Sequence, residues 1–201
     1  MNQFQLKEEH KEREAEIKAR LQDYKNAEDQ FYELCFCLLT PQSNAFRCDV
    51  CIQELMRLDF KHREPQILGE ILKKYTRFHN TKAKHLALFK QNHEKIISGL
   101  LTCKTPFEKR AFLVKNVKGL GLKEASHFLR NTGHESLAIL DRHILKHLVE
   151  LGVMKRIPKS LTHKNYLKIE KQFQKFSKEI QIPIDEIDLT LWSHETGKVF
   201  K

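Results

Sequence analysis

The stretch Phe112-Leu-Val-Lys-Asn-Val-Lys-Gly119-Leu120-Gly121-Leu122-Lys123-Glu-Ala125-Ser-His-Phe-Leu129 decides how this sequence folds. Apolar residues recur at helical spacing on both sides of the two glycines. One helix therefore runs into a tight turn and a second leaves it at once. Glycine admits positive φ and a close backbone approach. The start of the second helix offers amides that have no partner within the helix, a setting that suits a phosphate. Leu120 is expected to plug back between the two helices, and Ala125 to let them pack closely. A plain helix–helix connection would look alike locally. A helix-hairpin-helix, which clamps a DNA backbone without reading its sequence, is the functional reading.

Working outward, seven Gly and five Pro fall between periodic segments, which argues for helices and no regular strands. Residues 3–24 form one long charged helix with sparse apolar positions at Phe4, Leu6, Ile17 and Leu21. Phe31–Leu39 is strongly apolar and stops at Thr40-Pro41, because proline disfavours helix in the residue before it. Ser43 or Asn44 can cap a helix running through Leu58. Further helices are expected over 65–75, 81–98, 106–116, 122–131, 142–151, 162–179 and 185–192, with a short turn at 135–139. The fold class is all-α. No Gly/Ser-rich linker and no internal repeat divides it.

With 36 Lys+Arg against 26 Asp+Glu the chain carries a formal charge of +10, which favours a polyanionic partner. No apolar run approaches the length of a membrane span. The N-terminus mixes acids and bases without an apolar core, unlike a signal peptide. Five cysteines without a secretion signal are expected to be reduced thiols, so the expected location is cytoplasmic. Cys48-x-x-Cys51 has metal-ligand spacing, but Cys35 and Cys37 lie two apart in a helix and point to different faces. Buried thiols are the simpler reading, and no metal is expected. An iron–sulfur cluster is not expected either, since the last cysteine is Cys103.

Two residues carry chemistry. Lys123 sits in the first turn after the glycine pair, where the positive end of the helix dipole works against a charged ammonium. An amine that can lose its proton can attack a sugar carbon and form a Schiff base. A solvated or phosphate-touching lysine is the bland alternative. Eighteen residues on, Asp141 in Leu137-Ala-Ile-Leu-Asp141-Arg-His-Ile-Leu145 reads first as an N-cap. Its carboxylate could also stabilise a sugar cation.

GLGLKEASHFLRNTG followed by LAILDRHIL resembles the helix-hairpin-helix DNA glycosylase superfamily, and more narrowly the bacterial and archaeal second type of 8-oxoguanine DNA glycosylase/AP lyase. Phe31–Ala45, Asp188-Leu-Thr-Leu-Trp192 and the ending Gly197-Lys-Val-Phe-Lys201 are similar to that family too. The resemblance implies two helical subdomains with a DNA cleft between them. Residues 28–133 would form the central bundle, and 1–27 plus 134–201 the other, with Lys123 and Asp141 facing across the cleft. It implies base excision repair of 8-oxoguanine in double-stranded DNA by a monomer, cytoplasmic or nucleoid-associated in a prokaryote. Lys123 would be the nucleophile and Asp141 its catalytic partner.

By the same resemblance Trp192 stacks on the base and the carboxylate of Lys201 meets its guanine edge, with Phe78 a candidate for the opposite face. Gly119 and Gly121 would hold the backbone, with a structural monovalent cation at the hairpin and no required cofactor. Gln42 and Asn44 would probe the vacated or opposite-base position. His127 and His143 receive no catalytic role. Two alternatives stay open: a monofunctional glycosylase for alkylated bases, using Asp141 alone, and a non-enzymatic helix-hairpin-helix DNA-binding module.

Overall fold

In the computed structural model, residues 1–26, 29–63 and 67–200 are described, and they form helices and connections with no strand. The chain divides into two units, Glu28–Phe128 and Met1–Ala27 with Leu129–Lys201. The later division falls inside a helix, upstream of the 133/134 boundary that the family resemblance implies.

The central unit is built on α2 (Gln30–Leu39), which α3 (Ala45–Arg57) and α5 (His79–Leu101) pack against. Every residue of α2 from Phe31 to Leu39 except Glu33 is buried. Such a helix, apolar nearly all round, forms only as the centre of a core. Phe31 stacks on Phe89 at 5.2 Å between ring centroids and lies 5.9 Å from Phe60. The helix ends at Thr40-Pro41, and Asn44 is the residue that caps α3, its side chain accepting from the Arg47 amide at 3.0 Å. α4 (Leu68–Lys73) rests on α5. The part of the expected 65–75 helix at residues 65 and 66 lies outside the described residues. α6 (Pro106–Asn116) starts and stops where its pattern says, fixed by a Thr105/Glu108 capping box with proline in its first turn. α7 (Leu122–Arg130) follows the glycine pair.

The other unit holds α1 (Gln3–Lys25) and α8 (Arg142–Glu150), α9 (His163–Ile180) and α10 (Ile184–Thr196); α1, α8 and α9 all pack on α10. Leu6, Ile17 and Tyr24 are the buried apolar stripe of the otherwise charged α1. Tyr24 donates to the Phe200 carbonyl at 2.9 Å, which ties the end of the chain to this helix. Arg130 forms a buried ion pair with Asp188 at 2.7 Å.

One expected turn is absent. Residues 137–140 are irregular, outside any helix, and all four are buried. Side chains replace the helical hydrogen bonds. The Ala138 amide donates to Glu170 at 2.9 Å, and Tyr166 donates to the Ala138 carbonyl at 2.5 Å. The Leu140 amide donates to the Tyr166 hydroxyl at 3.4 Å. This strap delivers Asp141 to the start of α8.

Candidate active site

At the hairpin the two glycines do different work. Gly119 has φ +91°, a left-handed backbone that strains any residue with a side chain. A Cβ there would also stand 2.2 Å from Nδ1 of the His85 ring. Gly121 has no such φ, and its added Cβ would meet only the end of the flexible Glu124 side chain at 3.0 Å. Its carbonyl accepts from the Ala125 amide at 2.9 Å, opening α7. Leu120 is buried between them and Ala125 is fully buried. The Gly119 and Gly121 amides donate to no group among the described residues. Gly119→Ala is therefore expected to weaken binding to undamaged and damaged duplex alike by about tenfold, from about 1–2 kcal/mol of backbone strain. Gly121→Ala should change little. Fluorescence anisotropy on both duplexes checks this, and equal effects of the two variants would contradict it.

Lys123 stands in the first turn of α7 with its side chain 25% exposed. Its Nζ lies 3.1 Å from Oε1 of Glu124. A second lysine, Lys82, is close enough for the two charges to repel. Lys82 is buried, and burial first, with Lys123 and Arg77 adding, lowers it to about 8.

Gln42, Asn44 and Phe78 belong to the same unit. Gln42 is exposed with φ 54°, and Phe78 is 54% exposed with φ 57°. Both are left-handed residues without glycine's freedom, as Asp59, Ser136 and Gln181 also are. The Arg77 guanidinium lies 5.4 Å from the Phe78 ring centroid. Asn44 combines its expected position with the capping of α3.

In the other unit, Asp141 is the N-cap of α8. Its Oδ1 accepts from the amides of His143 at 2.8 Å and Ile144 at 2.9 Å. Oδ2 accepts no hydrogen bond among the described residues. Burial, with the charges of Asp141 and Asp185 adding to it against the pull of Arg130, pushes Asp188 up to about 7. The His143 ring meets Trp192 edge-on at 6.2 Å, so one residue touches both Asp141 and Trp192. His143 is itself held by Glu195 at 3.2 Å. Trp192 is half-buried, and its indole nitrogen meets no acceptor among the described residues. His127 packs edge-on against Phe36 at 5.7 Å inside the core. Lys201 lies outside the described residues.

The placing of Lys82 and Glu124 near Lys123 was not legible in the sequence. A signal for Lys82 exists in retrospect, because it falls on the stripe of α5 that continues as Leu86, Phe89, Ile96 and Leu100, all buried. A lysine in that register is not a solvated one. Cys35, Cys37, Cys48 and Cys51 are buried free thiols, with Cys48 and Cys51 pushed up by burial to about 11 and about 12. No group of three or more metal-ligand side chains gathers among the described residues, and no described helix is long and apolar enough to cross a membrane.

The family model described as 8-oxoguanine DNA glycosylase matches residues 11–182. The chain belongs to that family. The 8-oxoguanine DNA glycosylase/AP lyase of Fusobacterium nucleatum is 42% identical to it, over 96% of this chain and 94% of the relative. The enzyme of the same name from Methanocaldococcus jannaschii is 38% identical, over 92% and 91%. Among solved structures, the 8-oxoguanine DNA glycosylase of Thermotoga maritima has a TM-score of 0.88 at 34% identity, covering 98% of this chain and 97% of its own. The M. jannaschii 8-oxoguanine glycosylase/lyase in complex with a 15mer DNA containing 8-oxoguanine has a TM-score of 0.87 at 34% identity, covering 96% and 98%. Both structures are matched over nearly their whole length.

Proposed function

We propose that Lys123 and Asp141 are the catalytic pair of a bifunctional 8-oxoguanine DNA glycosylase/AP lyase acting on double-stranded DNA. The observation that carries the assignment is the lysine in the first turn behind the Gly119–Gly121 clamp, in a chain of this family. Chemistry on a base requires the nucleotide to leave the stack, at a cost of a few kcal/mol. The hairpin amides hold the backbone while this happens. Lys123, having lost a proton for which Glu124 is the neighbouring acceptor, attacks C1′; the C1′–N9 bond breaks and the base leaves. Asp141, with Oδ2 open, balances positive charge on the sugar. The proton the nitrogen sheds goes to the departing base. The nitrogen lone pair then breaks C1′–O4′, and O4′ takes a proton. The resulting protonated Schiff base acidifies the C2′ proton, whose removal expels the 3′ phosphate and cuts the strand.

Recognition falls to Trp192 and Phe78 as faces for the base, and to the carboxylate of Lys201 as acceptor for the guanine N1 and N2 protons. Gln42 and Asn44 meet the position the base vacates or the base opposite. No cofactor is needed for these steps; a monovalent cation at the hairpin would serve only the backbone grip. The chain acts as a monomer, in the cytoplasm or on the nucleoid. Removing Lys201, or adding a tag after it, is expected to slow single-turnover excision by about tenfold or more, because the base's donors are then left unpaired in the pocket. Folding and undamaged-DNA affinity should hold. Equal excision by all three forms would overturn the terminal-carboxylate role and leave Lys123 untouched.

The test of the function is strand cleavage on duplexes carrying 8-oxoguanine, an alkylated base, or no lesion. Cleavage confined to 8-oxoguanine is expected. Base release without strand cleavage would favour a monofunctional glycosylase, and no reaction a binding module.

A further inference from the structure

We propose that Lys82 is a positioning residue for base recognition: its buried ammonium ties the Leu39–Ser43 segment to Thr76 and thereby sets where Gln42 and Phe78 stand. The idea rests on the reading of those two residues given above. Lys82 is 4% exposed, and its Nζ lies 2.6 Å from the Leu39 carbonyl and 2.8 Å from that of Pro41. It lies 2.9 Å from the Ser43 hydroxyl and 2.6 Å from that of Thr76. The carbonyls can only accept, so two of three protons are committed to the end of α2 and its loop. The third serves the hydroxyl pair, whose oxygens are 2.8 Å apart. Ser43 also accepts from the Arg77 amide at 3.0 Å, and Thr76 donates to Leu39 at 3.2 Å. Arg47 reaches across to the Lys74 carbonyl.

This knot sits between two strained residues. Gln42 is bracketed by Pro41 and Ser43, and Phe78 directly follows Arg77. A left-handed non-glycine residue costs about 1–3 kcal/mol and persists only where its surroundings over-determine it. The exposed side chains of Gln42 and Phe78 bury too little to hold their own backbone. An apolar residue would fill the Leu86–Phe89 stripe without the cost of a buried charge. What it could not do is bind four acceptors from two loops at once.

Lys82→Met keeps the volume and removes the knot. Four readouts are compared with wild type: melting temperature, affinity for undamaged duplex, cleavage of a preformed abasic site, and single-turnover excision of 8-oxoguanine opposite C and opposite A. Misplacing recognition groups by an ångström is expected to slow excision by about tenfold to a hundredfold, with undamaged binding within about twofold. Abasic cleavage should slow clearly less than excision, since loss of the Lys82 charge also acts on Lys123. The preference between opposite bases should shift as well, and Lys82→Arg should recover part of the excision rate. Unchanged excision, or a fall in all readouts in step with the melting temperature, would overturn the proposal. Thr76→Val, equal in shape, carries the same expectations and replaces Lys82→Met if that variant melts below the assay temperature. Wild-type protein inactive on 8-oxoguanine would contradict the functional reading itself; active wild type with an unaffected Lys82→Met contradicts the knot alone.

Discussion

Lys123→Gln is expected to release no base and to form no covalent adduct with lesion DNA, with excision falling by at least about a thousandfold. Glutamine stays polar and is one atom shorter along the chain, but it has no amine to attack C1′. The change removes one positive charge out of a formal +10, and the hairpin amides are untouched, so duplex affinity should move little. Because Lys123 makes a 3.1 Å contact with Glu124, the variant also leaves that carboxylate without its neighbour; a thermal melt controls for this. Base release that persists without an adduct would assign the chemistry to Asp141 and a water, as in a monofunctional enzyme. Single-turnover excision and gel analysis of borohydride-treated mixtures separate the two.

Asp141→Asn is expected to slow excision by about a hundredfold to a thousandfold, the loss seen when a preorganised charge is removed from a reacting centre. Its effect on folding should be small, because asparagine caps a helix about as well as aspartate and can keep the bonds from His143 and Ile144. Asp141→Ala should show the same catalytic loss and, in addition, a stability loss of about 1 kcal/mol from the missing cap. The pair of variants thus divides the two duties of one side chain. Wild-type excision by Asp141→Asn would leave only the cap.

Much of this was legible because local chemistry and tertiary context agree. Thr105-Pro106-x-Glu108 marks the start of α6 unambiguously, and Gly119 marks a backbone that only glycine adopts without strain. The end of α2 follows from Pro41. Residues 135–139 misled because four consecutive apolar residues do not reveal a period, and their hydrogen-bond partners, Glu170 and Tyr166, are distant in sequence. Phe78 starts α5 through a left-handed cap that no composition rule signals. Lys82 was hidden by its charge, which ordinarily marks solvent; its position on a buried stripe counted for more. The division inside α7 carries no sequence mark at all, since the helix is continuous there. Lys123 and Asp141 lie in different units, so their joint role rests on chemistry and family rather than on either unit alone.

The most direct measurement traps the wild-type protein on an 8-oxoguanine duplex with borohydride, digests it, and locates the modified residue by mass spectrometry of the peptides. The adduct is expected on Lys123 alone. An adduct on another amine, Lys82 above all, or strand cleavage without any adduct, would contradict the account.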